Sequence, residues 1–141
     1  MRKSIVMLGA TGAAGNHAAL TLASSRRAAR LSLLRRRPAA NVVGDAASQH
    51  AIDILEPSSY ERHLEGHRTA ICALGVGQPS KMSREEFARI DHDAVLDLAR
   101  ACTRVDIAHL ALLTSVGVDA TSASFYLRTK GEPQEAVKAL E

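Results

Sequence analysis

A chain of 141 residues with 46% hydrophobic and 23% charged side chains has the size and balance of one globular domain, spanning residues 1–141. It contains no run of about 18 apolar residues, and only four apolar residues separate the basic start from the first glycine, so neither a membrane span nor a secretory leader is expected. A net charge of +3 is modest, and 3% aromatic residues are too few for stacking platforms, which argues against nucleic acid as a partner.

Residues 4–8 are a short apolar run of strand formers that stops at the turn GATGAAG of residues 9–15. Residues 16–25 follow, rich in Ala and Leu, with Ala19, Leu20 and Ala23 at helical spacing. Arg26, Arg27 and Arg30 are expected near the end of that helix, where cations suit its dipole. A second strand is predicted over 31–34, stopped by Arg35, Arg36, Arg37 and Pro38, and residues 38–48 read as a surface loop. A third strand is predicted over 49–54. Pro57 and Ser58 then open a helix running to about Leu64, with Gly66 as its stop. Residues 69–74 are a fourth apolar run, closed by Gly75 and Gly77. Ser83 with Glu86 forms a capping box and opens a helix to 103, in which Phe87, Ile90, Ala94, Val95, Leu98 and Ala101 recur at three- and four-residue steps. A fifth strand is predicted over 107–114, and a last helix from Phe125. Short apolar strands alternating with helices give an α/β domain, a doubly wound parallel sheet of about five strands.

Gly9, Gly12 and Gly15 lie between the first strand and the first helix. In that context Gly9 permits the tight turn, Gly12 lets backbone approach a phosphate, and Gly15 packs helix against sheet. With Thr11, Ala13 and Ala14 they surround a helix N-terminus suited to a pyrophosphate. No lysine stands where a nucleoside-triphosphate loop needs one. The end of the second strand chooses between the dinucleotides. An acidic residue there would hold the ribose hydroxyl of NAD, whereas Arg35, Arg36 and Arg37 suit a 2′-phosphate, so NADP(H) is expected over NAD(H). Asp53, beside Ile54, is either an acceptor for the adenine amino group or an ordinary surface carboxylate. Leu74 and Gly75, with Gly77, are placed at the adenine ribose, on the sheet edge where such folds bind ligands.

Cys72 and Cys102 make neither a disulfide framework nor a metal quartet, and the expected setting is a reducing cytoplasm. His50, His63 and His67 share no metal spacing. No metal is assigned.

The turn at 9–15 resembles the cofactor turn of the atypical and extended short-chain dehydrogenases/reductases. The stretch LLTSVGVD of 112–119, followed by FYLRTKGE of 125–132, is similar to the NAD(P)-binding proteins related to the Tat-interacting protein, neighbours of the NmrA-like group. The resemblance covers essentially the whole chain and implies a Rossmann fold. It also implies Tyr126 and Lys130 as the catalytic pair, with Ser115 (Thr114 as second choice) bonding the substrate oxygen and Lys130 holding the nicotinamide ribose. Spacing agrees, since residues four apart share a helix face, and an ammonium beside a phenol stabilises its anion for proton transfer. Asp91 stands where many family members carry Asn, and the resemblance implies that relatives continue beyond residue 141 with a substrate-covering region, so the C-terminal part of the family fold is expected to be missing here.

The expectation is an NADP(H)-binding oxidoreductase acting on a small carbonyl or alcohol. The alternative is a non-catalytic NADP(H) sensor. A nucleic-acid patch built on the arginines is a third, weaker reading. The substrate is not legible, and a homodimer through the helices at 83–103 and 125–140 is a further expectation.

Overall fold

In the protein, represented by a computed structural model, residues 3–10, 12–25, 27–36, 47–75 and 79–140 are described. Strands β1 (Lys3–Leu8), β2 (Ala28–Arg35), β3 (Ser48–Ala51), β4 (Thr69–Cys72) and β5 (His109–Leu112) pair in parallel in the order β3-β2-β1-β4-β5. The order reverses beside β1, which opens a crevice at the carboxyl ends of β1 and β4. The helices are α1 (Ala13–Ser24), α2 (Glu61–Leu64), α3 (Arg84–Ala88), α4 (Ala94–Arg104) and α5 (Phe125–Lys138). This is the doubly wound sheet expected.

Val6, Met7 and Leu8 have no exposed surface, because β1 is central and covered on both faces. That explains its unbroken apolar run. On one face Val6, Leu8 and Leu34 pack with Tyr60 and Leu64 and with Val95 and Leu98 of α4; on the other, Ile5, Met7, Leu31 and Leu33 pack with Ala19 of α1. Each fully buried Leu contributes roughly 1.5–3 kcal/mol. Burial pushes the Cys72 thiol up to about 11 and the Cys102 thiol to about 12, so both act as small apolar residues.

Several predicted boundaries shift. α1 starts at Ala13 rather than 16, because Gly12 is its N-cap and the Asn16 N–H donates to the Gly12 carbonyl at 2.7 Å. Arg30 belongs to β2, in register with Ser4, and Arg27 precedes that strand; α1 ends at Ser24 with no basic residue in its last turn. A register shift between Lys3 and Ser4 accommodates the longer pairing, and the exposed start of β2 carries no apolar signal. Arg26 lies outside the described residues. The helix expected from Pro57 is a 3-10 turn, Pro57–Ser59, followed by the single turn α2. The capping box is present, with Glu86 N–H donating to Ser83 Oγ and Ser83 N–H to Glu86 Oε2, both at 3.1 Å. The helix it opens is interrupted by a π turn at Arg89–Asp93, where the Ala94 N–H reaches back to the Arg89 carbonyl. Among the described residues, no helix is long and apolar enough to cross a membrane.

Candidate dinucleotide and catalytic site

The chain leaves β1 at Gly9 with φ +84°, a region that disfavours any side chain. A Cβ at Gly9 would sit 2.7 Å from the Leu74 nitrogen and nearer still to Ala73, so the turn passes directly over the end of β4. Gly15, in the first turn of α1, packs on the Gly9 carbonyl with no room for a Cβ. Gly12 is different. A Cβ there meets only the Gly9 oxygen, at an ordinary 3.7 Å, and the residue is exposed. The protein's own packing therefore requires the first and third glycines, while the second leaves bare backbone facing outward. Ala13 and Ala14 are exposed in an α1 first turn that has no side-chain cap and no acidic residue, so its N–H groups are free to face an anion. Thr11 lies outside the described residues.

Next to the turn is a cleft of about 380 Å³, bordered by Gly9, Arg35, Arg36, Ile54, Leu74 and Gly75 among the predicted residues, and by Leu34, Met82 and Ile90. Arg35 shares its strand face with Leu33 and is only 3% exposed. None of its guanidinium nitrogens has a hydrogen-bond partner among the described residues, and burial pushes its pKa down from the usual arginine range. A buried cation without a partner is costly, which makes Arg35 a group awaiting an anion. Arg36 is exposed at the same rim, and Arg37 and Gly77 lie outside the described residues. Asp53 does not line this cleft: its Oδ1 accepts from the Leu55 N–H at 2.9 Å, closing a local turn.

On the other side of the crevice, Tyr126 and Lys130 share one face of α5, whose N-cap Ser124 accepts from the Leu127 N–H. Gly131 fixes the height of that helix, because a Cβ there would lie 2.9 Å from the Asp119 oxygen. The Tyr126 hydroxyl is 3.2 Å from Ser115 Oγ, and Lys130 Nζ is 5.4 Å from the Tyr126 ring centre. Ser115 comes from the loop beyond β5, which ends at Leu112, earlier than predicted. Thr114 borders a smaller cleft with Leu74, Asp91 and Lys130.

Two features were not read from the sequence. Lys130 donates to Asp91 Oδ1 at 2.5 Å, with Lys130 and Asp91 side chains 10% and 1% exposed. Asp91 reaches this place from the π turn, which no local sequence signal announces. The second is an aromatic group, Phe87 lying 5.4 Å from Tyr126 at 28° and 5.9 Å from Phe125. Its helical spacing marked Phe87 only as core. Among the described residues, no three metal-ligating side chains gather.

The sequence profile described as NAD(P)H-binding matches residues 9–139. The chain belongs to this NAD(P)H-binding family. It is 28% identical over 141 residues to Protein HTATIP2 of Rattus norvegicus, covering 99% of this chain and 58% of the relative. It is 30% identical over 142 residues to "Protein fmp52, mitochondrial" of Emericella nidulans, covering 97% and 61%. The chain thus spans about three fifths of the length of these curated relatives. Its fold is shared with the ADP-L-glycero-D-manno-heptose-6-epimerase of Helicobacter pylori, with a TM-score of 0.80, 17% identity and coverage of 98% of this chain and 51% of that one. This chain of the NAD(P)H-binding family has a Rossmann-type fold, and its own residues fit a dinucleotide. Among the described residues, Gly12 gives bare backbone, the α1 first turn gives free N–H groups, and the Arg35 guanidinium lacks a partner beside an apolar wall of Ile54 and Leu74.

Proposed function

We propose that the protein is an NADP(H)-dependent oxidoreductase acting on a small carbonyl or alcohol, with Tyr126 as its acid and base. The observation that carries this reading is the Ser115–Tyr126 contact of 3.2 Å beside the Lys130 ammonium, across the crevice from the glycine turn. Ala13 and Ala14 N–H groups would hold the pyrophosphate, Gly12 would admit it, and Arg35 would pair with the 2′-phosphate. Bound there, the dinucleotide supplies or takes up the hydride. In the reducing direction a carbonyl carbon gains that hydride and its oxygen gains the Tyr126 proton, so that an alcohol leaves and solvent reprotonates Tyr126. Ser115 Oγ orients the carbonyl oxygen. An ammonium has three donors, and Asp91 uses one, which leaves Lys130 able to reach a ribose hydroxyl.

Calorimetric titration with NADPH and NADH tests the cofactor. NADPH is expected to bind about tenfold tighter or better, and Arg35→Gln to remove the difference while leaving NADH affinity in place. Equal affinities in the unaltered protein would overturn the arginine assignment. Tyr126→Phe is expected to lower turnover of carbonyl substrates by about 10²–10⁴-fold with NADPH affinity unchanged. NADPH binding with no turnover of any carbonyl would instead favour a sensor.

A further inference from the structure

Tyr126 also borders a second cleft, of about 330 Å³, walled by Met82, Arg84, Phe87 and Phe125. This volume is at the small end for ligand sites. Its wall is aromatic: the Phe87 ring contacts both Tyr126 and Phe125. The Arg84 guanidinium stands 4.9 Å from the Phe125 ring centre and has no carboxylate or other hydrogen-bond partner among the described residues. A guanidinium drawn to a ring still has N–H donors to offer an anion. Among the described residues, no acidic side chain lines the cleft. Two of its hydroxyls are already committed, Ser83 Oγ and Ser124 Oγ each capping a helix. A polyhydroxylated sugar would therefore find few groups to bond. An apolar body ending in an anion would find rings for the one and a free guanidinium for the other.

We infer that this cleft takes a carboxylate-bearing carbonyl compound with an apolar body, an aryl or alkyl oxo acid, whose carboxylate pairs with Arg84 while its carbonyl meets Tyr126. The inference rests on the oxidoreductase reading above for the carbonyl end, and on Arg84 alone for the acid end. The acid end is tested without turnover, by titrating phenylacetate and its neutral isostere phenylacetamide into the full chain, with and without NADPH. Phenylacetate is expected to bind about tenfold tighter or better than the amide. Arg84→Ala removes that preference and Arg84→Lys keeps part of it. Arg84 is exposed, so both variants retain the fold, and their NADPH affinity reports it. Equal binding of acid and amide, no binding of either at millimolar concentration, or a preference that survives Arg84→Ala overturns the inference. NADPH binding without an acid preference defeats this inference alone. An Arg84-dependent acid preference without NADPH binding defeats the dinucleotide reading and leaves the acid site standing.

Discussion

The two sides of the crevice are held in different ways. The glycine-turn side is fixed by backbone touching backbone, with Gly9 over Ala73 and Gly15 against the Gly9 carbonyl. The Tyr126 side is fixed by side chains gripping side chains, with Lys130 on Asp91, Tyr126 on Ser115 and Phe87 against Tyr126. Backbone contact admits no substitution, whether the touching backbone is near in sequence, as for Gly15 on Gly9, or distant, as for Gly9 on Ala73. Side-chain contact admits conservative change but depends on distant parts of the chain arriving together.

The largest expected effect breaks the first kind of hold. Gly9→Ala places a Cβ into the Ala73–Leu74 backbone at φ +84°, and a loss of about 3 kcal/mol or more is expected in a urea melt. A midpoint within error of the parent would show that the turn can move aside. Asp91→Ala comes next. It strands the buried Lys130 ammonium and should cost less than Gly9→Ala, about 1–3 kcal/mol, whereas Asp91→Asn, which keeps an acceptor, recovers much of the loss. Equal losses for Ala and Asn would mean that the acceptor is irrelevant and the hold is mere packing.

The smallest effect concerns a side-chain grip at the opposite end of the sheet. His67 is buried, its Nδ1 lying 3.3 Å from the Leu64 carbonyl and its Nε2 3.0 Å from Ser32 Oγ. A carbonyl only accepts, so the Nδ1–H donates and Nε2 accepts from the serine. Burial, with the Arg30 cation adding to it, holds this imidazole below its ordinary pKa, and burial does the same to His63 beside His50. The unfolded chain then takes up these protons more readily than the folded one. Stability is full above the ordinary histidine value of about 6.5 and is lost as pH falls below it. A thermal melt from about pH 7 to about pH 5.5 should show this decline, and His67→Gln should flatten it. An unchanged slope would assign the decline to other groups.

The backbone-held side was legible in the sequence, because it is local: seven consecutive residues, 9–15, contain the whole turn. Arg35 was named with its neighbours but not told apart from them, because β2 is buried without alternation from Leu31 to Arg35 and runs one residue beyond its predicted end. Tyr126 and Lys130 were named through the resemblance; their spacing, one helix turn apart on α5, agrees with it but does not by itself single them out. The carboxylate that holds Lys130 was not legible. Asp91 is 39 residues from Lys130, and its approach depends on a π turn that leaves no mark in the hydrophobic pattern. Arg30 was misplaced because the first residues of β2 are partly or fully exposed, and a strand without an apolar stripe resembles the end of a helix. Chain-local features were readable, and features made by tertiary convergence were not.

The π turn at Arg89–Asp93 also bears on how this chain tolerates changes in length. A π turn holds one residue more than the α turn it replaces. Elsewhere in the helix, losing one residue would swing everything beyond it by about 100° and take Val95 and Leu98 off the core. Within 89–93 the same deletion lets an ordinary α turn close the gap, with the segments Arg84–Ala88 and Ala94–Arg104 keeping their faces. The helix thus carries a single spare residue, placed so that its removal leaves the core intact and takes from Lys130 the carboxylate that holds it.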